Sequence, residues 1–368
     1  MFVPNKALPA VLALLSVACG GSPQSPSPPV PVPKAIPAAP APAPPPPKAD
    51  PCTATPGEVE TVRVVPNLKY LTADEREIVW TDGYVVQAMA EGQAPHVLGR
   101  YEGSEELSKL KIAGDRVFAL ANRPEPGRKS CGDQIVAFPR RGGTATKLVE
   151  GSCLRDFDVA IDRVVYMRDL PNGLGASGAL ATTTFAGVTS TLFEQLAADR
   201  VDVHGARAFL SLRSGELDSI PWNDTVGTRI FDGRVEDAQP GFHDSVVAID
   251  DRTVYVGVRH PEYTAITIVA VDHDEEVEPR QIGVLLEPSR GSESPWPRGG
   301  LTQDATHLVW PVTFRGRVVR LAKSGACPVE DLAVWRIAPD FAVPSGKFVY
   351  WREKSGADAT IVRRRVAP

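Results

Sequence analysis

The chain is 368 residues long and carries 40 Lys plus Arg against 45 Asp plus Glu, a formal net charge of −5. So mild a balance gives no electrostatic reason to expect nucleic acid as a partner. Its five cysteines include no CxxC pair, which removes the usual zinc-site and thioredoxin motifs.

Residues 1–18, MFVPNKALPAVLALLSVA, place Lys6 before an apolar run from Ala7 to Ala18. That run is about half of the roughly 20 residues a membrane-spanning helix needs, and it reads as a signal peptide. It ends in Val17-Ala18-Cys19-Gly20, which resembles the lipobox of bacterial lipoproteins, with Ser16 where Leu is usual and Leu15 one step earlier. The resemblance implies cleavage before Cys19 and lipidation of its thiol. Gly20 rather than Asp implies the outer membrane of a Gram-negative cell envelope. Residues 19–51 then form a Pro/Ala-rich linker without an aromatic residue. Such a segment cannot bury enough surface to fold, and its prolines favour an extended spacer of on the order of 90 Å.

From residue 52 to 368 almost no helical periodicity appears. Instead one phrase recurs: an apolar run, a turn with Asp or Gly, and a second apolar run ending in an aromatic. LTADEREIVW (71–80) and LTQDATHLVW (301–310) are its clearest copies. The aromatic anchors are Trp80, Phe118, Tyr166, Phe209, Tyr255, Trp310 and Tyr350. Two further strand-like runs follow most copies. Four short antiparallel strands per repeat make a propeller blade, and a blade cannot bury both faces unless a near-copy stacks on each side. The phrase resembles TolB-type and WD-like propeller repeats, most closely at Ser345-Gly346-Lys347 before Phe348-Val349-Tyr350. The expectation is an all-β fold: a single propeller of seven four-stranded blades, six or eight being the alternatives. The last repeat is short by one strand, and Val59–Val65 is left over before the first. Residues 59–65 are therefore expected to join the last blade as its outer strand and close the ring.

If Cys19 carries lipid, four cysteines remain for an oxidising compartment. The hairpin 134–138/146–149 puts Cys131 within reach of Cys153, and Cys52 and Cys327 form the other expected pair.

No phosphate loop, nucleophile elbow or HExxH motif is present, and no tryptophan-docking or sialidase box. No metal or cofactor is expected. Aligned repeats place Lys111, Asp158, Asp202 and Asp340 at the start of inner strands, as a candidate channel mouth where carboxylates could bind a cation or perturb one another. A candidate binding face is formed by loops after the second strands, with Arg168, Arg213, Arg259, His260 and Arg352. The connection 287–300 adds Trp296 and Arg298. The function expected is a monomeric, lipid-anchored envelope protein whose propeller binds or scaffolds a protein, peptide or glycan without catalysis. A hydrolase or lyase built on the channel-mouth acids is the alternative.

Overall fold

The computed structural model describes residues 57–122, 132–170, 178–212, 216–222, 227–232, 246–259, 265–273, 278–286, 300–355 and 358–366. The chain divides into two compact units, Met1–Lys48 and Ala49–Pro368, and every described residue belongs to the second. The expected signal, Cys19 and the Pro/Ala-rich linker lie outside the described residues.

The strands in chain order begin with β1 (Val59–Pro66), β2 (Tyr70–Ala73), β3 (Glu77–Thr81), β4 (Val85–Ala90) and β5 (His96–Arg100). Next come β6 (Glu106–Ala113), β7 (Arg116–Asn122), β8 (Gly132–Pro139), β9 (Thr146–Val159), β10 (Arg163–Asp169), β11 (Gly178–Thr184) and β12 (Thr189–Leu196). They are followed by β13 (Ala198–His204), β14 (Arg207–Leu212), β15 (Leu217–Pro221), β16 (Thr228–Phe231), β17 (Val246–Ile249), β18 (Thr253–Arg259), β19 (Ala265–Asp272) and β20 (Arg280–Leu286). The last are β21 (Thr302–Gln303), β22 (His307–Val312), β23 (Arg317–Ala322), β24 (Glu330–Ala333), β25 (Pro339–Ser345), β26 (Phe348–Ser355) and β27 (Asp358–Arg365). The one helical element described is a 3-10 turn, Thr313–Arg315.

All pairing is antiparallel between chain neighbours, with one exception. That exception is β1, which lies beside β27 in the order β1-β27-β26-β25, from Val59 opposite Arg364 to Pro66 opposite Asp358. The first strand is thus the outer strand of the last sheet, where the leftover strand was expected. The molecule is an all-β propeller. The division into seven separate blades needs correction: five four-stranded sheets stand alone, and the strands from β6 to β12 form one seven-stranded sheet. The reason lies in β9, which runs 14 residues without a break. Its first part pairs with β8 (Gln134 opposite Glu150) and its second with β10 (Tyr166 opposite Phe157). The bend between them falls at Cys153, whose φ is 54°.

The recurring phrase builds a side-chain-capped turn and a buried anchor. Asp74 Oδ1 accepts from the backbone N–H groups of Arg76 (2.9 Å) and Glu77 (3.1 Å). Asp304 Oδ1 does the same for Thr306 and His307 (both 2.7 Å), and Asp250 for Arg252 (3.3 Å) and Thr253 (2.9 Å). A short acceptor side chain two and three residues ahead of the donors is what such an Asx turn needs. Where Asp is missing, glycine in the left-handed region turns the chain, as at Gly114 and Gly346 (φ 58° and 56°). All seven aromatic anchors are buried, from 0 % exposed at Trp80 to 5 % at Tyr255. They sit between neighbouring sheets. Trp80, for example, packs with Phe348, Tyr350 and Ile361, joining the first sheet to the last.

Candidate functional site: the central channel and its rim

A cavity of about 240 Å³ runs along the axis, lined from β2, β6, β9, β13, β17, β21 and β25. In a strand, residues two apart face the same way. On three successive inner strands the inward pairs are charged: Lys109 and Lys111 on β6, Asp156 and Asp158 on β9, Arg200 and Asp202 on β13. Lys109 Nζ is 2.5 Å from Asp156, and Lys111 Nζ is 3.0 Å from Asp158 and 3.7 Å from Asp202. Arg200 Nε donates to Asp202 Oδ2 at 2.8 Å. The second oxygens of the β9 acids are also used. Val201 N–H donates to Asp156 (3.0 Å) and Val203 N–H to Asp158 (2.8 Å), which ties β13 to β9. Arg200 also reaches across the channel, since a side chain at Gly300 would come within 2.9 Å of its guanidinium.

Three cations and three carboxylates therefore close on one another in a largely buried space. Burial alone would raise the Asp202 pKa, but Arg200, Lys111 and Lys109 outweigh it and hold that carboxyl below its ordinary value. Burial works against the Lys111 ammonium too, and here Asp158 and Asp202 prevail, holding its pKa above the ordinary value. At Lys109 burial wins over Asp156, and the pKa is lowered. Tyr70, beside them, is pushed up by burial.

Of the expected channel-mouth residues the structure brings together Lys111, Asp158 and Asp202. Asp340 does not join them. The last phrase is one residue longer, and β25 carries a bulge between Asp340 and Val343 with Phe341 at φ 49°. Val343 thus faces Tyr350, while Asp340 faces Arg352. Arg352 in turn is a corrected member of the binding face: it is 5 % exposed, not a loop arginine. Its Nε donates to Asp340 at 2.5 Å, its Nη1 to the carbonyl of Leu68 at 2.5 Å, and its guanidinium lies 4.5 Å from the Phe341 ring centre. Arg168 turns across its own sheet, donating to Thr191 Oγ1 on β12 at 3.2 Å. Arg213, His260, Trp296 and Arg298, and the side chain of Arg259, lie outside the described residues, as do Cys52 and Cys131.

Sequence reasoning missed Lys109, Asp156 and Arg200. Their signal was present as KLK (109–111), DFD (156–158) and RVD (200–202), charged residues in period two on inner strands. It also missed the rim. Between β24 and β25, Val334, Trp335 and Ile337 are 44, 90 and 59 % exposed. A groove of about 780 Å³ lies at the end of the channel where β2 and β6 begin, and Lys69, Glu106, Arg352 and Lys354 are among its walls. Among the described residues no three His, Cys, Asp or Glu side chains gather as a metal site.

No known family model matches the chain, and no curated protein matches it in sequence. Solved structures do match in shape. The fold is that of a β-propeller. The chain is similar to a streptogramin B lyase at 8 % identity, covering 85 % of this chain and 98 % of that one, with a TM-score of 0.58. It resembles the catalytically inactive virginiamycin B lyase of Staphylococcus aureus, solved with quinupristin, at 9 % identity over 84 % of this chain and all of that one (TM-score 0.57). It also resembles YCF48 bound to D1 peptide, at 11 % identity over 87 % of this chain and all of that one (TM-score 0.54). At such identities the likeness concerns the fold.

Proposed function

We propose that this protein is a lipid-anchored envelope protein whose propeller is a non-catalytic binding module for a protein or peptide partner. The observation that carries this reading is the contrast between channel and rim. The channel's acids are each held by a cation and, on β9, by backbone N–H groups, an arrangement suited to bracing blades. The rim instead leaves an indole and two aliphatic side chains in water. Large apolar groups on a rigid rim are what recognition surfaces are made of. That YCF48, a neighbour in fold, was solved with a peptide supports the class of partner. A lyase or hydrolase at the channel is the second reading, kept because Asp158 and Asp202 flank a cavity beside one shared lysine.

The finer architecture belongs to the same proposal. The seven-stranded sheet counts as two blades sharing β9, which makes seven in all. Cys131 pairs with Cys153, and Cys52 with Cys327. One observation supports the first pairing: Gly132, next to Cys131 in sequence, stands opposite Leu154, next to Cys153. Lipidated Cys19 and the linker hold the domain at the outer membrane.

The test is capture from the native envelope after crosslinking, with the wild-type chain and with Cys19→Ala. The proposal expects a partner enriched by the wild type, and a Cys19→Ala chain that no longer sediments with membranes. A chain that enriches nothing over background, or a Cys19→Ala chain still in the membrane fraction, would count against it.

A further inference from the structure

The ion network of the channel is closed on its acceptor side and open on its donor side. Asp158 Oδ1 accepts from Val159 N–H at 2.9 Å and lies 3.0 Å from Lys111 Nζ, and its Oδ2 accepts from Val203 N–H. Asp202 Oδ2 accepts from Arg200 Nε, and its Oδ1 from Arg200 Nη2 at 3.3 Å. Both oxygens of Asp156 are taken, by Lys109 and by Val201 N–H. The cations are not used up in the same way. An ammonium carries three N–H groups and a guanidinium five. Lys109 spends one of its three on Asp156. Lys111 has a carboxylate oxygen at hydrogen-bond distance on Asp158, while Asp202 stands 3.7 Å away. Arg200 Nη1 donates to no acceptor among the described residues. The Lys111 and Arg200 side chains are 27 and 24 % exposed, and both line the axial cavity.

The rest of that cavity is of another kind. β6, β9 and β13 follow one another round the ring, so the charged side chains lie on one arc. The remaining arc brings Val247, Ile249, Leu301 and Val343 to the cavity wall, and Thr302 and Gln303 there already donate to backbone carbonyls. Water answers the spare N–H groups but gains nothing from an apolar wall. The two arcs together fit a molecule with an acceptor oxygen at one end and an apolar body at the other. Three cations already face three carboxylates, so the head need bring no charge. A fourth carboxylate would be buried without a cation of its own, which is costly. The cavity's 240 Å³ has room for about eight non-hydrogen atoms, at the roughly 30 Å³ that one water occupies in the liquid.

We propose that the axial cavity binds a small uncharged molecule, its carbonyl oxygen accepting from Lys111 and Arg200 and its apolar body lying against Val247, Ile249 and Val343. The bracing of the blades is untouched, because it uses the carboxylate oxygens. The rim remains the surface for a macromolecular partner.

The experiment titrates the full-length chain in detergent with hexanamide, hexanoate and hexylamine, read by calorimetry. Ile249→Phe, which fills the cavity and takes part in no ion pair, is titrated in the same detergent as the blank for uptake by micelles. Hexanamide is expected to bind saturably and about tenfold tighter than the other two, roughly the worth of one hydrogen bond. Lys111→Met should remove that preference. Ile249→Phe should abolish saturable binding with thermal unfolding unchanged, and it supplies the reading if Lys111→Met misfolds. Equal binding of the three compounds, tighter binding of hexanoate, or wild-type binding by Ile249→Phe would overturn the assignment. So would the absence of saturable binding to the wild type. Ammonia released from hexanamide would overturn simple binding in favour of the hydrolase reading of the channel.

Discussion

At the scale of single residues, Asp202 is the most informative group in the channel. It accepts from Arg200 and lies near Lys111, and its side chain is only 10 % exposed. Asp202→Asn keeps the shape and removes the charge, leaving Arg200 with no carboxylate at bonding distance among the described residues. Removing one partner from a buried pair costs about 3 kcal/mol or more, and a urea melt would read that loss. The pH dependence follows from the same contacts. The folded-state pKa of Asp202 lies below its ordinary value of 3.8, so the unfolded chain binds its proton more readily. The stability it supplies is complete above the unfolded value and is lost as pH falls through the folded one. Wild-type stability should therefore drop below about pH 4, and Asp202→Asn should flatten that acid limb. An acid limb of equal steepness in both proteins would show that the ion pairs do not brace the fold.

Among the strands and hairpins, sequence and structure agree where a local rule acts alone. Asp74, Asp250 and Asp304 were legible as turn residues because a carboxylate that accepts from the N–H groups two and three residues on needs no tertiary partner. Trp80 and Trp310 were legible because an aromatic closing an apolar strand has to be buried. Asp304→Ala should cost about 1 kcal/mol through loss of its turn bonds, whereas Trp310→Ala should cost about 3–5 kcal/mol through the cavity left between sheets. Thermal unfolding of the two variants checks the ranking, and a larger loss in Asp304→Ala would reverse this account of the phrase. The rest was hidden because it depends on register. Nothing in TKLVEGSCLRDFDV (146–159) says that one strand serves two neighbours. The extra residue in β25 that moves Asp340 away from the channel acids likewise shows only once Val343 is seen opposite Tyr350. Trp335 escaped notice because it looks like one more anchor, and only its place between β24 and β25 puts it in solvent.

For the whole molecule, closure is the feature that the sequence disclosed and the pairing of β1 with β27 bears out. Without β1, β27 would present an unpaired edge, and such edges recruit other chains. Deleting residues 57–66 should give a chain that associates on size-exclusion chromatography and melts without a sharp transition. A monomeric, cooperatively folded product would mean that the ring closes by other contacts. The larger claim divides the molecule into a braced interior and a recognising rim, and one comparison tests it most directly. Partner recovered from the envelope, per amount of folded protein, is measured for Trp335→Ala and Asp202→Asn beside the wild type. The account predicts that Trp335→Ala keeps its stability and loses most of its partner, while Asp202→Asn is less stable yet recovers partner at the wild-type level. The opposite pattern, with partner retained by Trp335→Ala and lost from well-folded Asp202→Asn, would place recognition in the channel and contradict it.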